Sequence, residues 1–427
     1  MNYQEAIRYI ESIPLFQNIG DGGFKEGLYN SYALDEHLGH PHSYYPTIHI
    51  AGTNGKGSCA HTTAAILQSA GLRVGLYTSP HFKSFRERIR INGELIEAAF
   101  ITNFIQRERT FCESLQPSFF ELTTPLAFEY FKEQKVDIAV IEVGLGGRLD
   151  CTNVIHPLLS VITNISLDHT QYLGHTPALI AAEKAGIIKQ DTPVIIGEAT
   201  KETRPIFEEK AQQFHAPIVF AEDSQEVITS EPDFTSGGRI YHTHSLGTLY
   251  GELGGLCQEK NTNTLLHIVS ALRQKGYAIS DEAIRTGFGQ VTELTGLKGR
   301  WQKVHEHPTV VCDTAHNEGG FAYISRQLTA QPCQHLRIIF GMVGDKDVAA
   351  VLKLLPNNAQ YYFTRAQIKR AMPEDQLAHL AQQFGLKGST YPNVRAAFTQ
   401  ALQDASADDF IYVGGSSYIV TDFLSFE

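Results

Sequence analysis

Ile48-His49-Ile50-Ala51-Gly52-Thr53-Asn54-Gly55-Lys56-Gly57-Ser58 decides the fold class. An apolar run of strand length passes into a glycine-rich turn and then into a helical stretch, Ser58–Ala70, ended by Gly71. In a strand–turn–helix of this kind, backbone N–H groups wrap a polyphosphate at the helix N-terminus, where the dipole favours anions. Glycine is needed where any side chain would block close backbone approach. Lys56 adds a point charge for the outer phosphates, and Ser58 a hydroxyl for Mg2+. The order Gly-Lys-Gly-Ser departs from the strict G-x-x-x-x-G-K-[ST] pattern. From this loop alone a nucleotide-driven ligase, a kinase or GTPase, and a non-catalytic nucleotide-binding subunit all remain open.

Outward from the loop, short β-branched runs alternate with amphipathic stretches. Strands are expected at 48–51, 73–78, 136–143, 158–165 and 193–197, and a helix at 125–134 opened by Thr124 and Pro125. This alternation predicts a mainly parallel sheet covered on both faces. Asn92-Gly93 inside IRINGELI reads as a hairpin turn. Residues 222–255 lose helical periodicity and suggest a small antiparallel annex. After a Gly/Thr-rich linker at 295–299 the alternation restarts, with strands at 309–312, 336–340, 361–364 and 409–413. The expectation is an α/β chain: an N-terminal P-loop-type ATPase domain over 1–295 and a smaller Rossmann-like domain over 296–427.

Composition narrows the class. A length of 427 residues suits two or three domains at about 150 residues each. The net charge of −11 argues against a broad nucleic-acid or anionic-membrane surface. No apolar run approaches the roughly 18–20 residues of a membrane span, and MNYQEAIRYI lacks the apolar stretch of a signal peptide. Six scattered cysteines without a C-x-x-C pair argue for reduced thiols and a cytoplasmic setting.

Further segments stand where strands end, the place at which open α/β sheets gather ligands. Glu142 closes an apolar run before Gly144-Leu145-Gly146-Gly147, and either binds Mg2+ or merely caps the strand. Asp168-His169 follows the next run; such a pair is either catalytic or simply satisfied polar structure. Lys184, amid Ala181-Ala182 and Ala185-Gly186, reads by itself as a solvated helix lysine; partial burial would lower its pKa. Lys83, Arg86, Arg88 and Arg90 form either a solvated edge or a local funnel for an anion.

Together these segments resemble the folylpolyglutamate synthase/dihydrofolate synthase family of Mur ligase-like amide ligases. IHIAGTNGKGS is similar to that family's variant phosphate loop. TSPHF, FRERIRING, FFELTTPLAF, IEVGLGGRLDCTN, ITNISLDHTQYLG, EKAGIIK, Gln258 to Asn261, GRW and DTAHN follow in order. The resemblance implies that ATP phosphorylates a substrate carboxylate and that the amine of L-glutamate attacks the acyl phosphate. It implies ATP contacts at Gly52, Thr53, Asn54, Gly55, Lys56, Gly57, Ser58, Asn261, Arg300 and Asp313. Catalytic roles fall on Lys56, His169, Lys184 and His316. Two Mg2+ ions would be held by Ser58, Ser79, Glu142, His169 and a carbamylated Lys184. Phe120, Asp150 and Cys151 match the dihydropteroate side, with Phe120 as a stacking face, and Arg86 is placed with the substrate.

The implied partners are L-glutamate, dihydropteroate and reduced folates, with neither nucleic acid nor membrane, on a monomer that closes about the 295–299 linker. Only 51 residues precede Gly52, which favours the folate branch over the peptidoglycan ligases, with their extra N-terminal domain. A bifunctional enzyme is expected; the alternatives are a monofunctional member and an inactive nucleotide-binding regulator. Two departures stand out. Asp313-Thr314-Ala315-His316-Asn317-Glu318 replaces the commoner Asp-Gly-Ala-His-Asn-Pro, and Cys151 replaces a common alanine.

Overall fold

The computed structural model describes residues 1–14, 27–344 and 346–427. The chain folds into two compact units. The first comprises Met1–Ile165, Thr176–Glu226 and Asn261–Gly296; the second comprises Ser166–His175, Val227–Lys260 and Leu297–Glu427.

The first unit is built on β1 (Thr47–Ala51), β2 (Val74–Tyr77), β3 (Ile89–Ile91), β4 (Glu94–Leu95), β5 (Ile138–Glu142), β6 (Leu159–Ile162), β7 (Val194–Ile196) and β8 (Ile218–Phe220). Their order in the sheet is β4-β3-β2-β5-β1-β6-β7-β8. From β2 to β8 all pairings are parallel, and β3 and β4 add an antiparallel edge. Every residue of β1 and β5 is buried, as required of strands covered on both faces. That requirement is why their sequences read as unbroken apolar runs. Asn92 and Gly93 both have positive φ, 47° and 79°, which matches the twist of a two-residue hairpin.

The helix after β1 spans Lys56–Ser69 and is buried from Gly57 to Leu67. Gly287, in the helix Asp281–Gly289, lies so close that a Cβ there would meet the Ile66 backbone at 2.6 Å. The helix expected to open at Pro125 instead spans Phe119–Glu133, with Pro125 in its interior. Ser118 and Glu121 explain the earlier start, because they cap each other's backbone in a reciprocal box.

β9 (Val227–Pro232), β10 (Arg239–Thr243) and β11 (Gly247–Gly251) form the antiparallel annex, but it groups with the second unit and not with the N-terminal domain over 1–295 to which the sequence assigns it. A six-stranded sheet uses β12 (Gln302–Glu306), β13 (Thr309–Asp313), β14 (Leu336–Phe340), β15 (Gln360–Phe363), β16 (Lys387–Thr390) and β17 (Phe410–Gly414). Its order is β12-β13-β17-β14-β15-β16, parallel except for β12. Sequence patterning misses β12 and β16 because they are polar edge strands; all four residues of β16 are exposed. Trp301 stacks on Phe410 at 6.0 Å in the core of this unit. All six cysteines are free, and no helix among the described residues is long and apolar enough to cross a membrane.

Candidate active site

The loop between β1 and its helix has a conformation that only glycine adopts without strain. Gly52 has φ 146° and Gly55 has φ 83°. A Cβ on Gly52 would lie 1.9 Å from Thr163 Oγ1, and one on Gly55 would lie 2.4 Å from Asn261 Oδ1. The expected nucleotide contact Asn261 thus packs directly on the loop.

The residues after β6 hold the same loop from another side. Asn164 O accepts from Thr53 N at 2.9 Å, and Asn164 Oδ1 accepts from Asn54 N at 3.0 Å. Thr163 Oγ1 and Asn164 Nδ2 both donate to Asn54 O, at 2.6 and 3.1 Å. Sequence reasoning does not single out Thr163 and Asn164 as site residues, although their place at the end of a strand beside β1 is a signal for them. Gly55, at the N-cap, has no side chain to cap the helix that Gly57 and Ser58 enter as buried residues.

Two lysines meet at this loop. Lys56 Nζ donates to Gly52 O at 2.8 Å and to Thr53 O at 3.1 Å. Lys184 Nζ donates to the same Gly52 O at 3.0 Å and is only 3% exposed, so it is a buried lysine and not a solvated one. It rides on the helix Pro177–Ala185, capped by Thr176. Glycines seat that helix: a Cβ on Gly147 would meet Glu183 O at 2.7 Å, and one on Gly186 would meet Arg148 Cα at 2.4 Å. Arg148 clasps the seat from outside, bonding Glu183 Oε1 at 2.8 Å. The turn Gly144–Arg148 therefore serves to place Lys184.

Glu142, the last residue of β5, is 4% exposed, and its Oε2 accepts from Ser79 N at 2.9 Å. Parallel pairing of β2 with β5 sets this contact, since Tyr77 pairs with Ile141. A buried carboxylate and the hydroxyls of Ser58 and Ser79 are hard oxygen donors, a set that fits Mg2+.

Phe120 and Asp150 both lie beside Gly144, with Cys151 next to Asp150. A Cβ on Gly144 would lie 3.3 Å from Asp150 Oδ2 and 3.6 Å from Phe120 Cε1. Asp150 accepts from Leu145 N at 2.9 Å and from Thr152 N at 3.0 Å, capping the turn Cys151–Val154, and burial raises its pKa. Burial also pushes the Cys151 thiol well up, so it is no ready nucleophile. Arg86 turns to the hairpin, where its Nε donates to Ile96 O at 2.5 Å. It is Arg88 that lies over the rings of Phe119 and Phe120, at 4.9 and 5.5 Å. Its Nε donates to His81 Nδ1 at 2.7 Å, and burial together with that charge pushes the His81 pKa down to about 4.

The second unit contains His169, Arg300, Asp313 and His316, and Asp168 joins the two histidines. Its Oδ2 accepts from Asn317 Nδ2 at 2.9 Å and bonds His316 Nε2 at 3.2 Å. Lys346 Nζ bonds its Oδ1, which also accepts from His169 N at 2.8 Å. Burial alone would raise the Asp168 pKa, but His316, His169 and Lys346 hold it far below the usual carboxylate range. The Asp-His pair is the sequence signal for Asp168. For Lys346, which sequence reasoning misses, the signal is its place just past β14.

Asp313 ends β13 and accepts from Trp301 N at 2.7 Å and Ala315 N at 2.8 Å, and burial raises its pKa. Thr314, the residue that departs from the usual motif, has a structural use. Its hydroxyl bonds Gly299 O at 3.1 Å and takes a hydrogen bond from Arg300. Glu318, in place of the usual proline, opens the helix Glu318–Thr329 with a charge that suits a first turn, behind the Asn317 cap.

The Mur ligase middle domain family matches residues 50–252, and the Mur ligase glutamate ligase domain family matches 299–417. A Bacillus subtilis dihydrofolate synthase/folylpolyglutamate synthase is 32% identical, over 98% of each chain. A Haloferax volcanii "Probable bifunctional folylpolyglutamate synthase/dihydropteroate synthase" is also 32% identical, over 99% of this chain; the chain spans 50% of that relative's length. The structure of E. coli FolC in complex with DHPP and ADP superposes with a TM-score of 0.85 at 31% identity, covering 100% of this chain and 97% of that one. Agreement of sequence, fold and domain order shows that the chain belongs to the dihydrofolate synthase/folylpolyglutamate synthase family of Mur ligase-like proteins.

Proposed function

We propose that this chain is an ATP-dependent carboxylate–amine ligase that adds L-glutamate to dihydropteroate and to the γ-carboxylate of reduced folates. ATP phosphorylates the acceptor carboxylate, the glutamate amine attacks the acyl phosphate, and ADP and phosphate leave. The observation that carries this reading is the convergence of Lys56 and the buried Lys184 on the Gly52 carbonyl, at the mouth of a glycine loop. A kinase or switch loop needs one lysine; a second, desolvated one suits chemistry in which a neutral amine takes up CO2.

In this account Gly52 to Ser58, Asn261, Arg300 and Asp313 bind ATP, and Lys56 and His316 neutralise charge on the transferring phosphoryl. Ser58, Ser79, Glu142, His169 and a Lys184 carbamate would hold two Mg2+ ions, which would supply positive charge to offset that of the phosphates. Phe120, Asp150 and Cys151 line the pterin side, where Arg88 and not Arg86 is the cation over the Phe120 ring. Residues 1–295 form the catalytic domain and 296–427 the closing domain, a division supported by the spans of the two matched families. The enzyme works as a cytoplasmic monomer.

Phosphate release from ATP tests the reading. It should require both L-glutamate and a pteroate or folate acceptor. ATP turnover indifferent to either would sink the ligase assignment in favour of a regulatory nucleotide-binding protein.

A further inference from the structure

Outside the residues placed in the ligase reaction, one compact trio of metal-type donors occurs among the described residues: Asp35, His40 and His42. Asp35 lies in the last turns of the helix Tyr29–His37, and its side chain is 6% exposed. Its Oδ2 faces His40 Nδ1 at 2.6 Å and His42 Nε2 at 3.2 Å. All three donor atoms lie within 4.8 Å of one another. The other carboxylate oxygen, Oδ1, is buried with no hydrogen-bond partner. Two imidazoles thus crowd one oxygen while its twin has none, a costly way to bury a carboxylate.

The backbone presents this trio in a fixed form. His40 N donates to Asp35 O at 2.8 Å, and His40 O takes hydrogen bonds from Ser43 N at 3.0 Å and Ser43 Oγ at 2.7 Å. Gly39 and His40 both have positive φ, 70° and 52°, the left-handed region that glycine and, among other residues, histidine enter most readily. The His42 ring is held edge-on by Phe128 at 5.8 Å. The His40 side chain is 58% exposed, so one side of the trio is open to solvent.

We propose that Asp35, His40 and His42 bind a zinc-class divalent transition metal ion. Two imidazoles and a carboxylate with an open fourth position are a common zinc ligand set, and they disfavour Mg2+, which takes oxygens. Tetrahedral zinc sets its ligand atoms about 3.3 Å apart. His42 already satisfies that spacing against Asp35, and the exposed His40 reaches it by a shift of under an ångström. Each facing ring nitrogen must be free of a proton to take the ion, the neutral ring keeping its N–H on the nitrogen that faces away. The ion would staple the end of the helix Tyr29–His37 to the turn Pro41–Tyr44, directly before β1 and the phosphate loop.

The test is calorimetric titration of Zn2+ alone into the metal-stripped full chain with Mg2+ in excess, with Co2+ as the optical probe. The expected result is one ion per chain, tetrahedral Co2+ absorption bands, and a melting temperature raised by Zn2+. His40→Gln, at an exposed side chain, should weaken binding by about 100-fold and remove the thermal shift, as should Asp35→Asn. Glu142→Gln, in the separate oxygen-donor set, should leave Zn2+ binding unchanged. Absence of binding, binding that survives His40→Gln and Asp35→Asn, or loss in Glu142→Gln would each overturn the proposal.

Discussion

Lys56 and Lys184 donate to one oxygen, the Gly52 carbonyl, at 2.8 and 3.0 Å. One lysine comes from the loop itself, and the other arrives from 132 residues downstream on its own helix. Two lysine nitrogens sharing one carbonyl is a poised arrangement, since conversion of Lys184 to a carbamate would place a negative group beside Lys56. Lys184→Ala should therefore lower turnover by about a thousandfold with an unchanged far-UV spectrum. Under 13CO2 a carbamate carbon resonance should appear in the wild type and be missing in the variant. An unaffected rate would refute the assignment.

Gly52→Ala tests the loop geometry. A methyl there meets Thr163 Oγ1 at 1.9 Å and takes a φ of 146°, whereas Gly71, at φ 88°, has open space around it. Gly71→Ala should cost about 1 kcal/mol from backbone strain alone. Gly52→Ala should cost about 2–3 kcal/mol and abolish nucleotide binding, as read by denaturant melts and ADP titration.

Thr314 predicts a subtler effect. Its hydroxyl bonds both Arg300 and Gly299 O, and Arg300 Nη1 also reaches Gly299 O directly at 3.2 Å, so Thr314→Val keeps the volume and removes one of the two anchors of the guanidinium. The KM for ATP should rise roughly tenfold, the size of a lost hydrogen bond to a charged group, and Thr314→Ser should restore it. An unchanged KM in Thr314→Val would show that Arg300 needs no such anchor.

His49 gives the acid limb of the stability curve a specific cause. It is fully buried in β1, bonded to Thr152 Oγ1 at 2.8 Å, and burial plus the charge of Lys189 push its pKa down to about 3. Unfolded, it titrates near 6.5, so between these values the unfolded chain binds the extra proton. Stability is then fully present above about pH 6.5 and falls by about 1.4 kcal/mol per pH unit as acid is added. His49→Gln should flatten this slope between pH 6 and 4 in urea melts.

Much of the frame is legible in the sequence because buried parallel strands must be apolar on both faces: β1, β5 and β6 announce themselves, and Asn92-Gly93 announces its turn. Edge strands obey no such rule, so β12 and β16 go unmarked. The site is legible where chemistry sits on a strand end, as with Glu142. Burial of Lys184 is not, because it depends on Gly147 and Gly186 letting a helix approach, a tertiary fact. Asp168 is visible as half of a pair, but its hub role needs Asn317 and Lys346, which lie more than 140 residues further along the chain.

The most direct measurement is mass spectrometry of the products formed from ATP and L-glutamate, with dihydropteroate and tetrahydrofolate supplied separately. One added glutamyl residue on dihydropteroate and one or more on tetrahydrofolate are expected, each with matching ADP. No glutamylated product from either acceptor, with nucleotide bound and the fold intact, would contradict the ligase assignment.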